Sequence, residues 1–520
     1  MIMIKKLLLY FLLLAAIPAY TQHTNIMISS NNEPEEPSIY INPHNTQQIV
    51  AGSNINNFYF SQDGGYTWAE HQLTSSLYGV WGDPCLLFDT TGSIYFFHLS
   101  NPTSGNWIDR IVCQKSNDGG LTWDVGSYMG LNGTKAQDKE WVVVDPATNT
   151  MYATWTQFDY YGSTNPLDSS IILFSRSTNQ GITWSQPQRL SQRAGDCVDS
   201  DNTVEGAVPA IGPEGEIYVA WAGPSGLVFD RSLDGGSAWL PKDIFITDIP
   251  GGWDYNVPGI SRCNGLPVTC CDVSNSPYRG RIYVNWTDQR NGTSDTDVWL
   301  VSSSDGGNTW SEVKRVNNDL PGKQQFFTWM TIDQTTGYLY FVFYDRRNYS
   351  GRETDVYMAV SKDGGETFSN FSISETPFTP NANIFFGDYT NISAHNNVIR
   401  PIWTRLENNS LSIWTAIINP MILSSDQQQF SLFSLEQNFP NPFSDNTYFS
   451  FKIKSPCHVS LKIYDVFGKE IATIINNKLL QTGKYIEMFN TTLIPIASGV
   501  YYFSLVSENQ IVKHKMLFLR

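Results

Sequence analysis

The chain has 520 residues, more than one ordinary domain, and a formal net charge of −16 from 49 acidic and 33 basic residues. A surface of that sign repels phosphate backbones, so we expect no nucleic-acid partner. Aromatic residues make up 14% of the chain, and period-two alternation prevails over helical periodicity, which predicts an all-β fold.

The N-terminus has the pattern of a secretory signal. Lys5 and Lys6 precede an apolar run at 7–17, which ends before Pro18 and Ala19. This order predicts a signal peptide over residues 1–21. The run is shorter than the roughly 20 residues of a membrane span, and we predict no transmembrane segment later in the chain.

An eight-residue pattern, such as SSDGGNTW at 303–310, occurs six times between residues 61 and 368. A repeat with a period of tens of residues indicates an array of small supersecondary units. Asp-Gly and Gly-Gly between β-rich runs predict hairpin turns, in which the third residue caps the turn and the closing Trp or Phe packs on a neighbouring unit. The third residues are Asp63, Asp118, Asn179, Asp234, Asp305 and Asp363.

The residues between these copies repeat an order of four strands, seen in the runs 141–146, 151–158, 170–177 and 182–190. This order predicts a β-propeller over residues 22–423. About three strands follow the sixth copy, and residues 25–29 can supply the missing outer strand. Joining the two ends would close the ring and remove exposed sheet edges. We therefore favour seven blades, with six as the alternative.

The pattern S-x-D-x-G-x-T-W resembles the Asp-box, or bacterial neuraminidase repeat, of sialidases and other secreted β-propellers. The resemblance implies a sialidase-like propeller whose boxes lie at the hairpin between the third and fourth strands of each blade, away from the active site. It is specific for the fold and carries little information on activity.

A sialidase site needs a Tyr nucleophile beside a Glu, a further acid/base carboxylate, and arginines for the substrate carboxylate. The resemblance implies Tyr389 and Glu205 as the nucleophile pair. Asp83 begins a predicted inner strand, where it could face the central funnel, and is a further catalytic candidate. The substrate-binding candidates are Arg290, Arg346, Arg347, Arg400 and Glu140. No arginine precedes Arg110, however, so the first arginine of the sialidase clamp is missing.

Several of these residues also have structural interpretations. Asp288 with Arg290, and Asp345 with Arg347, occupy equivalent places in a duplicated phrase, which also predicts ion pairs within turns. Three aspartates form a candidate calcium site, because carboxylates at alternate positions can converge on a hard cation. They are Asp295, Asp297 and Asp355. No other cofactor is required.

The chain contains seven cysteines, an odd number. Export permits disulfides, and a bridge from Cys263 to Cys270 or Cys271 is the most favourable short pairing.

A polar linker at 424–434 is predicted to precede a second domain at 435–520, where strands alternate with glycine turns. This pattern predicts a small immunoglobulin-like β-sandwich. The phrases NFPNPF (438–443), IYDVFGKEI (463–471), TGKY (482–485), ASGVYYF (497–503) and KHKML (513–517) resemble the sorting domain of type IX secretion cargo. The resemblance implies a Bacteroidota-type cell, type IX machinery as a partner through 435–520, and a secreted or surface location.

Three functions remain open at this stage. The propeller can bind or process glycans or extracellular polymers, with a glycan or an extracellular protein as ligand. It can be an exo-α-sialidase or another glycoside hydrolase that uses a Tyr/Glu pair. It can also be a non-catalytic adhesion or matrix protein.

Overall fold

The computed structural model describes residues 23–418, 433–453, 456–466, 468–492, 496–507 and 510–520. The predicted signal peptide and the part of the predicted linker before residue 433 lie outside these ranges. The chain divides into two compact units, Met1–Pro420 and Met421–Arg520. None of the described residues forms a helix with the length and hydropathy needed to cross a bilayer.

The described part of the first unit consists of strands in seven four-stranded antiparallel sheets. From the innermost strand outward, the sheets are β2(Ser38–Ile41) β3(Ile49–Ser53) β4(Asn57–Ser61) β5(Ala69–Gln72); β6(Gly82–Phe88) β7(Ile94–Leu99) β8(Ile111–Ser116) β9(Ser127–Met129); β10(Ala136–Val144) β11(Met151–Phe158) β12(Ser170–Ser177) β13(Gln188–Arg189); β14(Glu205–Ile211) β15(Ile217–Gly223) β16(Gly226–Ser232) β17(Ile244–Thr247); β18(Val268–Cys271) β19(Ile282–Asp288) β20(Asp297–Ser303) β21(Lys314–Arg315); β22(Gln325–Asp333) β23(Tyr338–Asp345) β24(Asp355–Ser361) β25(Ser369–Ser372); and β26(Asn391–His395) β27(Val398–Glu407) β28(Ser410–Ile417) β1(Thr24–Ser29).

The innermost strands close a ring. Each of β2, β6, β10, β14, β18, β22 and β26 contacts the next, and β26 contacts β2. The N-terminal strand β1 pairs with β28 from the other end of the unit, with Thr24 opposite Ile417 and Met27 opposite Trp414. The seventh sheet therefore joins the two ends, as expected for residues 25–29. The sequence left seven and six blades open and favoured seven, which is the number of sheets in the described ring.

The eight-residue boxes lie between the third and fourth strands of six sheets. In the first box, Asp63 accepts hydrogen bonds from the backbone N–H groups of Tyr66 and Thr67 at 3.0 and 2.9 Å, and the Ser61 hydroxyl accepts the Gly65 N–H at 2.8 Å. Asn179 accepts the Thr183 N–H at 3.0 Å in the same way. These are the turn-capping bonds predicted from the sequence.

The closing aromatic residue of a box packs on the preceding sheet. The Trp123 ring meets Phe58 edge-on at 5.1 Å, Trp184 meets Phe97 at 5.8 Å, and Trp239 meets Phe174 at 4.9 Å. The seventh sheet has no box because the corresponding position is the junction between β28 and β1, where the two ends of the unit meet. The boxes thus hold neighbouring sheets together.

Strand direction separates the boxes from the loops that can form a site. Because the sheets are antiparallel, the innermost strand begins at the edge where the second and third strands are connected, and the box lies at the opposite edge. We call the edge where the innermost strands begin the open edge.

The second unit contains two sheets. The smaller has the order β29(Phe433–Leu435), β30(Asn446–Ile453), β33(Gly483–Asn490), and the larger has the order β32(Glu470–Leu480), β31(Cys457–Tyr464), β34(Gly499–Ser507), β35(Gln510–Phe518). Alternate residues of these strands form one apolar core, which includes Phe449, Phe451, Val459, Leu461 and Phe503. This is the expected two-sheet organisation of the tail.

The expected disulfide is wrong. Cys263, Cys270 and Cys271 are all free thiols in the structure. Cys270 and Cys271 are neighbours in β18, so their side chains point to opposite faces of the sheet. The Cys270 thiol instead approaches the Met330 carbonyl oxygen at 3.4 Å.

Candidate functional site

Four innermost strands begin with the same irregularity at the open edge. The pairing with the second strand shifts between Gly82 and Cys85 in β6, between Asp138 and Trp141 in β10, between Glu205 and Val208 in β14, and between Phe326 and Trp329 in β22. Each interval contains a residue with positive φ, which is Asp83, Lys139, Gly206 or Phe327. A bulge of this kind bends the strand and redirects the side chains that follow its start.

These bulges help to gather charged side chains around Lys139. The buried Lys139 Nζ lies 2.9 Å from Asp388 Oδ2, 3.6 Å from Glu36 Oε1 and 3.7 Å from Asp83 Oδ1. The residues come from before β2, from β6, from β10 and from before β26. We define the axial cluster as Glu35, Glu36, Asp83, Asp138, Lys139, Glu140, Asp199, Glu205, Arg262, Asp388 and Tyr389.

Arg262 extends the cluster towards solvent. Its guanidinium pairs with Asp388, and its other nitrogen Nη1 lies 3.0 Å from Asp199 Oδ2. Asp199 also accepts a hydrogen bond from the Tyr161 hydroxyl at 2.6 Å. The Arg262 side chain is 35% exposed, whereas that of Asp388 is 2% exposed. A polar connection therefore leads from the surface to the buried carboxylates.

The environment shifts the pKa values of these carboxyl groups in opposite directions. Burial, with the charge of Asp388 as the next cause, raises the pKa of Glu35 to about 8 and that of Glu36 well above its usual value. Burial likewise raises the pKa of Asp138, Glu140 and Glu205 well above the usual range. Burial also opposes ionisation of Asp388, but the charges of Arg262 and Lys139 overcome it and hold its pKa below the usual range. The environment therefore favours the protonated form of these acids and the ionised form of Asp388.

Several buried oxygens of the cluster have no hydrogen-bond donor among the described residues. They are Oε1 of Glu36, both side-chain oxygens of Glu140, Oε1 of Glu205 and Oδ1 of Asp388. Buried polar atoms are nearly always hydrogen-bonded in folded proteins, so an unpaired group calls for a specific explanation. Their concentration at one end of the ring identifies this end as the candidate site.

Tyr389 belongs to the cluster but its hydroxyl partner is Asp83. The hydroxyl donates to Asp83 Oδ1 at 3.2 Å, and the ring packs edge-on against Trp141 with centroids 5.4 Å apart. Burial, and then the charge of Asp83, raise the Tyr389 pKa well above its usual value. Glu205, the partner expected from the sequence, makes no hydrogen bond to Tyr389 in the described structure.

A small cavity of about 30 Å³ adjoins Lys139, Asp388 and Tyr389. A larger one, of about 250 Å³, lies at the fourth sheet and is lined by apolar groups such as Trp221, Val228 and Phe245, with Asp243 as its carboxylate. The larger cavity lacks the cluster of acids, so we place the candidate site at the smaller one.

The arginines expected to bind substrate have protein partners. Arg290 Nη2 lies 2.6 Å from Asp288, and Arg347 Nη2 lies 2.6 Å from Asp345, so the duplicated phrase forms ion pairs within turns. The buried Arg346 donates to the Pro258 carbonyl oxygen at 2.8 Å.

Arg400 has a separate structural contact. Its Nε donates to the Gly64 carbonyl oxygen of the first box at 2.7 Å. Arg281 makes the equivalent contact to Gly364 of the sixth box at 3.0 Å. Arg400 therefore connects the seventh sheet to the first and lies with the boxes, away from the axial cluster.

The carboxylates of the candidate calcium site accept hydrogen bonds from protein donors. Asp295 accepts the Gly322 N–H at 2.7 Å, Asp297 accepts the Asn317 amide at 2.6 Å, and Asp355 accepts the Tyr349 hydroxyl at 2.9 Å. Within the described ranges, no group of three or more His, Cys, Asp or Glu residues is arranged to hold a metal ion.

The sequence predicted Asp83, Glu140, Glu205 and Tyr389 as site residues, and the structure places all four in the axial cluster. Sequence reasoning missed the other seven members, which are Glu35, Glu36, Asp138, Lys139, Asp199, Arg262 and Asp388. Five of them had a usable signal, because each stands within three residues of an innermost strand or inside one; they are Glu35, Glu36, Asp138, Lys139 and Asp388. Arg262 lies in a long connection, and nothing in its local sequence distinguishes it.

Comparison with known proteins defines the class. Residues 149–431 match the family model of the BNR repeat-like domain, and the chain belongs to this family. Residues 437–518 match the model of the secretion system C-terminal sorting domain. The protein is thus a sialidase-like β-propeller with a type IX sorting tail, exported to the cell surface or beyond it.

Individual relatives are distant. An endo-acting ulvan lyase of Formosa agariphila is 32% identical over 134 residues, which cover 26% of this chain and 22% of that enzyme. The chain thus spans about a fifth of the length of this curated relative.

Solved structures with a similar fold include three glycan-acting proteins. The Hadza microbial sialidase Hz136 is 14% identical, with a TM-score of 0.40, over 71% of this chain and 73% of its own. The Streptococcus pneumoniae NanB sialidase is 10% identical, with a TM-score of 0.42, over 71% and 83%. The Penicillium chrysogenum alpha-L-arabinanase is 14% identical, with a TM-score of 0.41, over 68% and 99%.

Proposed function

We propose that the protein is an extracellular glycoside hydrolase whose chemistry is carried by the carboxyl groups of the axial cluster. The observation that carries the proposal is the set of unpaired, buried carboxyl oxygens around an ionised Asp388. Glycosidic hydrolysis needs such a pair, because an acid must protonate the leaving oxygen while negative charge stabilises an oxocarbenium-like transition state.

Glu36 is the proposed general acid. Burial raises its pKa well above the usual value, which favours the protonated form that a general acid needs. Asp388 supplies the fixed negative charge, since Lys139 and Arg262 hold it ionised. Asp83 is the remaining carboxylate beside Lys139 and accepts the Tyr389 hydroxyl, which places it to take a proton from water.

Exo-α-sialidase activity is the second candidate, and the Tyr389–Asp83 hydrogen bond is the observation that favours it. A Tyr nucleophile beside a carboxylate is the sialidase scheme. Two features count against it. The Tyr389 pKa is raised, which opposes formation of the phenolate nucleophile. The arginines expected for the carboxylate clamp are bound to Asp288, Asp345, Pro258 and Gly64.

The test is a hydrolysis assay of the secreted chain on a polysaccharide panel and on fluorogenic sialosides. Glu36→Gln and Asp388→Asn should each lower turnover by about 10²–10⁴-fold. Asp333→Asn is the matched control, because Asp333 is a buried carboxylate at the box edge that accepts the Asn397 N–H at 2.8 Å. Tyr389→Phe separates the two candidates, because it abolishes turnover only in the sialidase scheme. A folded protein with no turnover on any substrate would favour the non-catalytic adhesion or matrix role.

A further inference from the structure

Three aromatic side chains lie in series at the open edge, next to the axial cluster. Trp81 stands immediately before β6, Trp107 lies between β7 and β8, and Tyr161 lies between β11 and β12. The centroids of Trp81 and Trp107 are 5.8 Å apart, and those of Trp107 and Tyr161 are 5.6 Å apart, both with rings nearly perpendicular. We call these three residues the aromatic series.

The two indoles are exposed, although large apolar side chains are usually buried. Trp81 is 40% exposed and Trp107 is 43% exposed. Adjacent exposed aromatic residues on loops indicate a binding surface more often than a folding requirement. Exposure alone does not indicate which ligand binds, so the class of ligand is inferred from the residues around the aromatic series.

The series is held in place by its loops. The Trp81 N–H donates to the Leu99 carbonyl oxygen at 2.9 Å, and the Gln137 N–H donates to the carbonyl oxygen of Ile108, the residue after Trp107, at 2.7 Å. Tyr161 packs on Phe158 with centroids 5.0 Å apart. Aromatic groups fixed in this way bind with little loss of side-chain entropy.

One end of the series is close to the axial cluster in the sequence, and the other end contacts it. Trp81 stands two residues before Asp83, which lies 3.7 Å from Lys139. At the other end, the Tyr161 hydroxyl donates to Asp199, which pairs with Arg262. An extended ligand lying on the two indoles would therefore enter the site between Asp83 and Arg262.

Charge limits what this ligand can be. The two cations of the cluster, Lys139 and Arg262, are both engaged by Asp388. An anionic sugar would find no uncommitted cation to receive it, and it would lose hydration without compensation. A neutral sugar presents hydroxyl groups that can donate to the unpaired oxygens of Glu140 and Glu205, while its apolar face covers an indole.

We infer that the aromatic series is the binding platform for an uncharged oligosaccharide that leads into the axial cluster. The inference rests on the proposed function and names its substrate class. It excludes sialic acids and uronic acids as ligands. It assigns the main contact with the sugar to Trp107, the middle member of the series.

The test is calorimetric titration of the full secreted chain with defined sugars. Neutral hexasaccharides of glucose, xylose, mannose and arabinose are compared with hexagalacturonate and sialyllactose. We expect at least one neutral sugar to bind at least about tenfold more tightly than either anionic one, and Trp107→Ala to weaken that binding by about tenfold or more. Tyr66→Ala is the control, because Tyr66 is an exposed aromatic residue in a box at the opposite edge.

Three results would overturn the inference: tighter binding of an anionic sugar, unchanged binding in both Trp81→Ala and Trp107→Ala, or no binding by any sugar of the panel. The outcome is separable from that of the proposed hydrolysis. Binding without turnover retains the platform and rejects the hydrolase. Turnover with unchanged affinity in both tryptophan variants retains the hydrolase and rejects the platform.

Discussion

Lys139 and Asp388 form a buried ion pair of 2.9 Å between residues 249 positions apart in the chain. Lys139 lies in the third sheet and Asp388 shortly precedes the seventh, so the pair spans the centre of the ring. Asp388 also binds Arg262 from the connection before the fifth sheet. The same ionic contacts that polarise the candidate site thus link distant sheets.

Lys139→Met should destabilise the propeller by about 3–5 kcal/mol, because it leaves buried carboxylates without their cation. Lys135→Met is the matched control. Lys135 pairs with Asp159 at 2.6 Å, but its side chain is 38% exposed, and an exposed pair contributes at most about 1 kcal/mol. Urea unfolding of the two variants measures the difference. Equal losses would contradict a buried ionic centre.

Stability should fall as pH rises from about 5 to 8. The pKa of Glu35 is raised from 4.5 to about 8, so the folded state binds more protons than the unfolded state in that window. The contribution is fully present below 4.5 and is lost as pH rises through about 8. Thermal unfolding across this range measures the slope. Glu35→Gln should flatten it, whereas Glu33→Gln, at an exposed position two residues away, should not.

The box aspartates have the opposite effect on the pH dependence of stability. Hydrogen bonds, those of Thr122 and Thr309 being the largest cause, lower the pKa of Asp118 and Asp305 from 3.8 to about 2. Their contribution is present above 3.8 and is lost as pH falls through about 2. We therefore expect the melting temperature to be highest between about pH 4 and 5. A maximum near pH 8 would contradict the Glu35 assignment, and a maximum near pH 2 would contradict that of the box aspartates.

A box should tolerate an amide better than an apolar group. Asn179 keeps the bond to the Thr183 N–H without a charge, so Asp363→Asn should retain the bond to the Thr367 N–H, which is 2.9 Å long. Asp363→Ala removes the acceptor and should cost about 1 kcal/mol. Comparison of the two free energies of unfolding tests the capping role, and equal costs would reject it.

Arg400→Met should lower stability without changing turnover or ligand affinity. Its guanidinium is bound to the Gly64 carbonyl oxygen between the last and first sheets, so the loss leaves a buried acceptor unpaired. The free energy of unfolding and KM on the best substrate are measured together. A raised KM with unchanged stability would return Arg400 to the substrate-binding role that the sequence suggested.

The ring and its tail were largely predictable because each depends on local signals. The six boxes specify hairpins through bonds that span four residues, as between Asp63 and Thr67. The order of strands between boxes then determines the sheets. The β1–β28 pairing was also foreseen, because the last sheet lacked a strand and the N-terminal residues had a strand pattern.

The site was only partly predictable because its contacts join residues from different sheets that are far apart in the sequence. Glu205 and Tyr389 were paired from family position, whereas the Tyr389 hydroxyl donates to Asp83, which lies in the bulge of β6. Lys139 stands between Asp138 and Glu140. These charged neighbours do not predict its burial, which follows from the convergence of separate sheets. The contact of Arg400 was not predictable for a related reason, because its partner Gly64 lies 336 positions away. The ion pairs of Arg290 and Arg347 within turns, in contrast, were predicted from the duplicated phrase.

The protonation states of Glu36 and Asp388 at neutral pH test the central claim most directly. Difference infrared spectroscopy of the folded chain against each variant reports them. The account predicts that Glu36→Gln removes a protonated carboxyl band, while Asp388→Asn removes a carboxylate band. An ionised Glu36, or a protonated Asp388, would contradict it.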